Sequence, residues 1–234
     1  MQPCCVISLV MQTEMSQEGR VEPRVDQGND ALEEVRHGGN YAILARRLPG
    51  KAAAYLARAA RGEVERVEFE VLDGRLDGAV LTSGLPAGRE RAWVQKDVER
   101  WGRRLVELTG LPRYHASFGP ITTDKCKKFH VDYVMLRLLV TYAGPGTEIA
   151  PDSMVNRKAL EEPAHCHIEA NAAILRDPSG VVHANAGDVV VLRGNAWPKK
   201  EGLGVVHRSP PVEDRGLRRL VLTLTCFGPR GRPW

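Results

Sequence analysis

The segment Phe129-His130-Val131-Asp132 places an imidazole and a carboxylate two residues apart. In an extended strand, residues i and i+2 project from the same face, so both side chains can reach one ion. A second histidine, His207, ends the apolar run Gly204-Val205-Val206-His207 far downstream. Two histidines and one carboxylate, with coordination positions left open, form the ligand set of non-haem Fe(II) sites at which other molecules must also reach the metal. The plainer alternative is a His–Asp hydrogen-bonded pair on a strand, with His207 capping the turn before Pro210.

Arg219 stands twelve residues after His207, at the head of Arg219-Leu-Val-Leu-Thr-Leu-Thr-Cys226. Its even positions form a leucine face suited to packing under a helix. Arg219, Val221, Thr223 and Thr225 then point the other way, into a barrel. An inward guanidinium is costly unless it meets an anion, and its planar fork suits a carboxylate. Arg137 and Thr141 share a face in the same manner, opposite Leu136, Leu138 and Val140. Arg218 takes the inward role if the strand is rotated. A surface salt bridge is the alternative for both arginines, and Arg208 either meets substrate or holds a loop.

Other reactive side chains lack partners at useful spacing. His165-Cys166-His167 has no further ligands at zinc spacing and reads as a loop or helix turn. Cys126 and Cys226 lie in apolar runs and read as small core residues. His37, His115 and His183 have no constellation around them, and Trp197 either lines a site mouth or packs under a loop.

The elements that must position these residues fall into two textures. Before Pro112 the chain reads as helical, with Lys51 to Arg61 alanine-rich. Trp93 to Leu108 steps Val94, Val98, Trp101, Leu105 and Leu108 along one face before Gly110 and Pro112 stop it. Val67, Phe69 and Val71 alternate with acids as a short strand. After Pro112, short apolar runs are expected as strands at 114–118, 127–131, 134–142, 172–175, 181–183, 189–193, 203–207 and 219–227. They are separated by connectors rich in Gly, Pro, Asn and Asp, and Pro145-Gly146 suits a type II turn. That pattern predicts a mainly β protein with N-terminal helices, a double-stranded β-helix of the jelly-roll, cupin-like kind. The expected organisation is a flexible arm at 1–30, a helical cap region at 31–111, a metal-binding barrel at 112–228 and a tail at 229–234, with Met11 or Met15 as possible starts.

Composition narrows the function classes. The 234 residues are 43% apolar and 26% charged, with a formal net charge of only +4 and no basic stripe, so nucleic acid is not an expected partner. Five cysteines without a C-x-x-C pair give no disulfide scaffold or zinc ribbon. No apolar run approaches the length of a spanning helix. The expectation is a cytoplasmic protein with no membrane partner.

Several blocks carry a resemblance. Cys126-Lys-Lys-Phe-His-Val-Asp132, Leu136 to Glu148, Arg193-Gly-Asn-Ala-Trp197, Val206-His-Arg-Ser-Pro-Pro211 and Arg218 to Leu224 resemble the bacterial family catalogued as domain of unknown function 1826. The order His-x-Asp, strand, distal His, Arg is also similar to the iron- and 2-oxoglutarate-dependent dioxygenases of the prolyl-hydroxylase type. That resemblance implies His130, Asp132 and His207 as Fe(II) ligands, with no catalytic residue beyond them. It implies Arg219 as the anchor for 2-oxoglutarate, with Arg137 and Thr141 sharing that cofactor-binding face. The implied activity is hydroxylation of a small molecule or a protein side chain. The alternative is a cupin-like zinc carrier or sensor without oxygenase turnover.

Overall fold

A computed structural model describes residues 25–26, 30–123, 126–198 and 203–228. The possible starts at Met11 and Met15, nearly all of the expected arm and the tail at 229–234 lie outside these residues. In chain order the elements are β1 (Val25–Asp26), α1 (Asp30–His37), β2 (Tyr41–Leu44), α2 (Gly50–Ala59), β3 (Val67–Val71), α3 (Gly78–Leu81) and α4 (Arg89–Thr109). They continue with β4 (Tyr114–Ile121), β5 (Leu136–Ala143), β6 (Glu148–Ala150), α5 (His167–Ile174), β7 (Val182–His183), β8 (Val189–Arg193), β9 (Val206–Arg208) and β10 (Arg219–Cys226).

Two sheets face each other. The larger has the order β1-β2-β8-β5-β10-β4-β3 and the smaller β7-β6-β9. His130 extends the smaller sheet, because it and His207 exchange two backbone hydrogen bonds of 3.0 Å. From β4 onward the chain alternates between sheets: large at β4, small at His130, large at β5, small at β6 and β7, large at β8, small at β9, large at β10. That winding is a double-stranded β-helix. Strands β1, β2 and β3, all before Pro112, extend the same large sheet, β1 and β2 at one end and β3 at the other.

Helices α1 to α4 cover the outer face of the large sheet, whereas Ala170 and Ile174 of α5 pack in a second cluster with Phe129, Ala150 and Val206. The apolar positions of α4, Val94, Val98, Trp101, Leu105 and Leu108, are all buried. They share one core with Leu136, Leu138, Val140 and Tyr142 of β5 and with Leu220, Leu222, Leu224 and Cys226 of β10. Gly110 ends α4 in the left-handed conformation at φ 69°, and its N–H closes on Val106 O at 2.7 Å. Because outward side chains on β5 and β10 are spent on this core, the intervening ones must face the smaller sheet. None of the described helices is long and apolar enough to cross a membrane.

Four sequence expectations need correction. The run at 172–175 is the end of helix α5, whose Ala170 and Ile174 are four residues apart and both buried, as a helical face requires. The expected strand at 127–131 pairs only at His130. Before it, the Asn171 side chain takes the place of a neighbouring strand, accepting from Phe129 N–H at 2.8 Å and donating to Lys127 O at 2.9 Å. At the connector after β5 the left-handed residue is Gly144, at φ 81°, whereas Gly146 has an ordinary backbone, so there is no type II turn centred on Pro145-Gly146. Cys126 is exposed on the loop before Phe129 rather than in the core, while Cys226 is buried as expected.

Candidate metal centre

The small sheet brings the three candidate ligands together. The backbone bridge sets His130 beside His207, with ring centroids 4.7 Å apart. Asp132, two residues on, points into the same space. One donor atom from each of His130, Asp132 and His207 lies within 4.8 Å of the others, and this is the one such cluster among the described residues. His207 and Asp132 are well buried and His130 is half-buried.

Hydrogen bonding fixes which atoms are offered. His130 Nδ1 lies 2.8 Å from Lys128 O, and His207 Nδ1 lies 3.0 Å from Val205 O. A carbonyl oxygen only accepts, so each Nδ1 carries the hydrogen and each neutral ring presents a lone pair at Nε2. His207 Nε2 then faces Asp132 Oδ2 at 3.2 Å, one acceptor against another. Asp132 Oδ2 is buried and receives no well-directed hydrogen bond. Arg137 Nη1 is 2.6 Å away but off the hydrogen-bonding direction. Lone pairs converging in this manner call for a cation between them, and the donor set suits one.

Burial alone pushes the Asp132 carboxyl up, but His207 when protonated, Arg137, and His130 when protonated hold it well below the usual carboxylate range. Burial, with His207 adding to it, pushes the His130 imidazole down, towards the neutral form that a metal requires.

A cavity of about 670 Å³ separates this cluster from the inner face of the large sheet. Its wall includes Arg219, Val221, Thr223 and Thr225, the alternate residues of β10. Arg219 is 2% exposed and has no carboxylate partner among the described residues. Its Nε donates to Pro145 O at 2.7 Å, Nη2 to the hydroxyls of Thr141 and Thr147 at 3.3 Å each, and Nη1 to Ser209 Oγ. Burial pushes its pKa down to about 10, with Glu148 and Cys126 opposing the shift. Arg218 is exposed and donates to Gly62 O at 3.2 Å, so the inward arginine is Arg219.

Arg137 and Thr141 both face inward, but at opposite ends of β5. Thr141 touches Arg219, whereas Arg137 pairs with Asp132. Arg208 holds Glu148 at 2.5 Å, lies over the Phe129 ring and also lines the cavity. At the start of α5, His165 and Cys166 are exposed and His167 is half-buried, and the three form no ligand cluster. Trp197 packs on the Arg193 guanidinium and the main core, not in the cavity wall. Sequence reasoning missed Thr147 and His115. Thr147 sits in a short buried run without alternation, and His115 enters the cavity only through the pairing of β4 with β10.

Comparison with known proteins adds the family. The model of the family described as "Protein of unknown function (DUF1826)" matches residues 26–225. The chain belongs to that family. No curated protein matches it. Among solved structures the chain is similar to a rice dioxygenase for auxin oxidation, at 14% identity, 88% of this chain, 81% of that one and a TM-score of 0.43. It is similar to AviO1 from Streptomyces viridochromogenes at 17% identity, 91% and 99% coverage and a TM-score of 0.41. A prolyl-4-hydroxylase from Pseudomonas putida matches at 13% identity, 91% and 100% coverage and a TM-score of 0.41.

Proposed function

We propose that this chain is an Fe(II)- and 2-oxoglutarate-dependent oxygenase that hydroxylates its substrate. The observation that carries the reading is Arg219: a buried guanidinium with no carboxylate partner among the described residues, in the wall of the cavity that His130 and His207 of the ligand cluster also line. A site that only stored or sensed a metal has no need of it.

In this reading His130, Asp132 and His207 hold the iron through two Nε2 atoms and a carboxylate oxygen. The Lys128 and Val205 carbonyls lock the ring tautomers, so neither histidine must lose a proton from Nε2 when metal arrives. Arg219 binds the far carboxylate of the cosubstrate, steadied by the hydroxyls of Thr141 and Thr147. Bound iron and 2-oxoglutarate supply the oxidising chemistry with dioxygen, and the protein supplies position and shelter from water.

The same donor set also suits zinc, and every nitrogen of Arg219 already meets a protein oxygen. Those two facts keep a zinc carrier or sensor as the second reading. Anaerobic titration with Fe(II) and then 2-oxoglutarate separates them. Arg219→Ala should leave metal affinity nearly intact and weaken 2-oxoglutarate binding about 10- to 150-fold, the value of a charge-assisted contact of ~1.5–3 kcal/mol. His130→Ala should lose both ligands. A metal-loaded wild type that fails to bind 2-oxoglutarate, just as Arg219→Ala fails, would leave the carrier or sensor.

A further inference from the structure

The end of the cavity away from Arg219 carries a polar row across the large sheet. In register, Arg137 on β5 stands opposite Thr225 on β10, and Thr225 stands opposite His115 on β4. All three line the cavity that also contains His130 and His207. The 2.6 Å approach of Arg137 Nη1 to Asp132 Oδ2 puts the row next to the candidate ligands. Arg137 Nε donates to Thr225 Oγ1 at 3.3 Å, which leaves the hydrogen of this buried hydroxyl for another acceptor. The half-buried His115 imidazole has no hydrogen-bond or ion-pair partner among the described residues.

The carboxylate anchored at Arg219 lies far from Thr225 and His115. Thr225 lies six residues further along β10, about 20 Å at the rise of a strand. A five-carbon diacid spans only about 5 Å between its carboxyl carbons. Thr225 and His115 are therefore left for a second molecule, with Arg137 between them and the candidate ligands.

Charge is graded along the row. Arg137 lies deepest, beside Asp132. The acids on the other side, Glu70 opposite His115 and Glu68 opposite Ser117, sit on the exposed edge strand β3, and Arg66 Nε neutralises Glu68 at 3.0 Å. Water screens carboxylates at that rim far more than it screens the guanidinium inside. Arg208 lines the cavity outside this row and is paired with Glu148.

We propose that the Arg137–Thr225–His115 row is the subsite for the primary substrate and that it takes an anionic group, a carboxylate or a phosphate, on that substrate. The word substrate rests on the oxygenase reading; the anion site does not. Arg137 Nη2, the Thr225 hydroxyl and a ring N–H of His115 supply three donors to the oxyanion.

Phenylphosphate, phenylacetate, benzyl alcohol and benzylamine share one aromatic body and differ in charge. The full-length protein, loaded with redox-inert Zn(II) and saturated with 2-oxoglutarate so that Arg219 is occupied, is titrated calorimetrically with each. At least one anion should bind with one site per chain, the alcohol and amine should not, and His115→Ala and Thr225→Val should each weaken that binding about 10-fold. Both variants should keep their metal content and 2-oxoglutarate affinity, and His115→Gln should restore part of the loss. Phenylacetate alone would mark a carboxylate substrate and phenylphosphate alone a phosphorylated one. Unchanged anion binding in both variants, preference for benzylamine, or loss of anion binding in Arg219→Met would overturn the subsite. If the wild type binds no 2-oxoglutarate while phenylphosphate binding still depends on His115, the oxygenase reading falls and the anion site stands. If 2-oxoglutarate binds and neither anion does, the subsite falls alone.

Discussion

Two arginines, Arg219 buried and Arg46 half-buried, lie on opposite faces of the same sheet, and their surroundings differ in one respect. Arg46, in the connection after β2, makes a two-pronged ion pair with Asp97 of α4, at 2.6 and 2.8 Å. Its guanidinium is 5.2 Å from the Trp101 ring, and its Nε donates to Gly187 O at 2.8 Å. Tyr142 and Trp101 add hydrogen bonds to the same carboxylate. Arg219 meets only hydroxyls and a carbonyl, and faces a cavity. Neighbouring residues of β5 serve the two sites, Tyr142 outward to Asp97 and Thr141 inward to Arg219. Closed charge is the signature of architecture, and open charge is the signature of a place for something else.

The sharpest way to break this contrast is to open the closed pair. Asp97→Asn keeps the shape of the side chain but strands the Arg46 charge. Losing one partner of a buried pair costs about 3–5 kcal/mol, so the urea midpoint should fall steeply. Molecules that remain folded should bind metal and 2-oxoglutarate as before, since Asp97 lies outside the barrel. A loss below ~1 kcal/mol would mean that water reaches Arg46 and that the pair is no keystone.

How much of this was legible in the sequence depends on range. The convergence of His130, Asp132 and His207 was legible because the first two are two residues apart in a short apolar segment and His207 follows a run of valines. The face of α4 was legible because its period is local: five apolar positions all proved buried. The inward turn of Arg219 followed from the leucine alternation of β10. Register was not legible. Arg137 and Thr141 share a face by simple alternation, yet only the pairing with β10 decides that Thr141 stands near Arg219 and Arg137 opposite Thr225. His115 could not be linked to Arg137 without knowing that β10 lies between their strands. The Arg46–Asp97 pair joins a loop to a helix by fold alone, and no local pattern announces it.

A milder break tests the hydroxyl rather than the charge. Tyr142 donates to Asp97 Oδ2 at 2.6 Å, so Tyr142→Phe should cost about 1.5–3 kcal/mol, the range for hydrogen bonds to charged groups. Burial, with Asp97 adding to it, pushes the Tyr142 phenol well above its ordinary value of 10. Above pH 10 the unfolded chain therefore binds fewer protons than the folded one, and stability falls as pH rises. Other buried tyrosines share that slope. Tyr142→Phe should make it shallower, as comparison of unfolding curves from pH 9 upward would reveal.

The smallest effect on stability is expected at the open site. Arg219→Met removes hydrogen bonds to Pro145, Ser209, Thr141 and Thr147, each with a net value of about 0.5–1.5 kcal/mol. It also removes a buried charge that no carboxylate compensates, whose desolvation works against folding. The depression of its pKa to about 10 by burial has the same origin. These contributions oppose one another, and methionine refills most of the space with apolar atoms. The net change should stay within about 1 kcal/mol of zero in chemical unfolding without ligand. The two variants should then dissociate cleanly: Asp97→Asn unstable but able to bind, Arg219→Met stable but unable to hold a dicarboxylate. A loss of several kcal/mol at Arg219→Met would reverse the contrast. Its four protein oxygens would then be its intended partners, and the guanidinium would be a strut between the sheets rather than an open charge awaiting an anion.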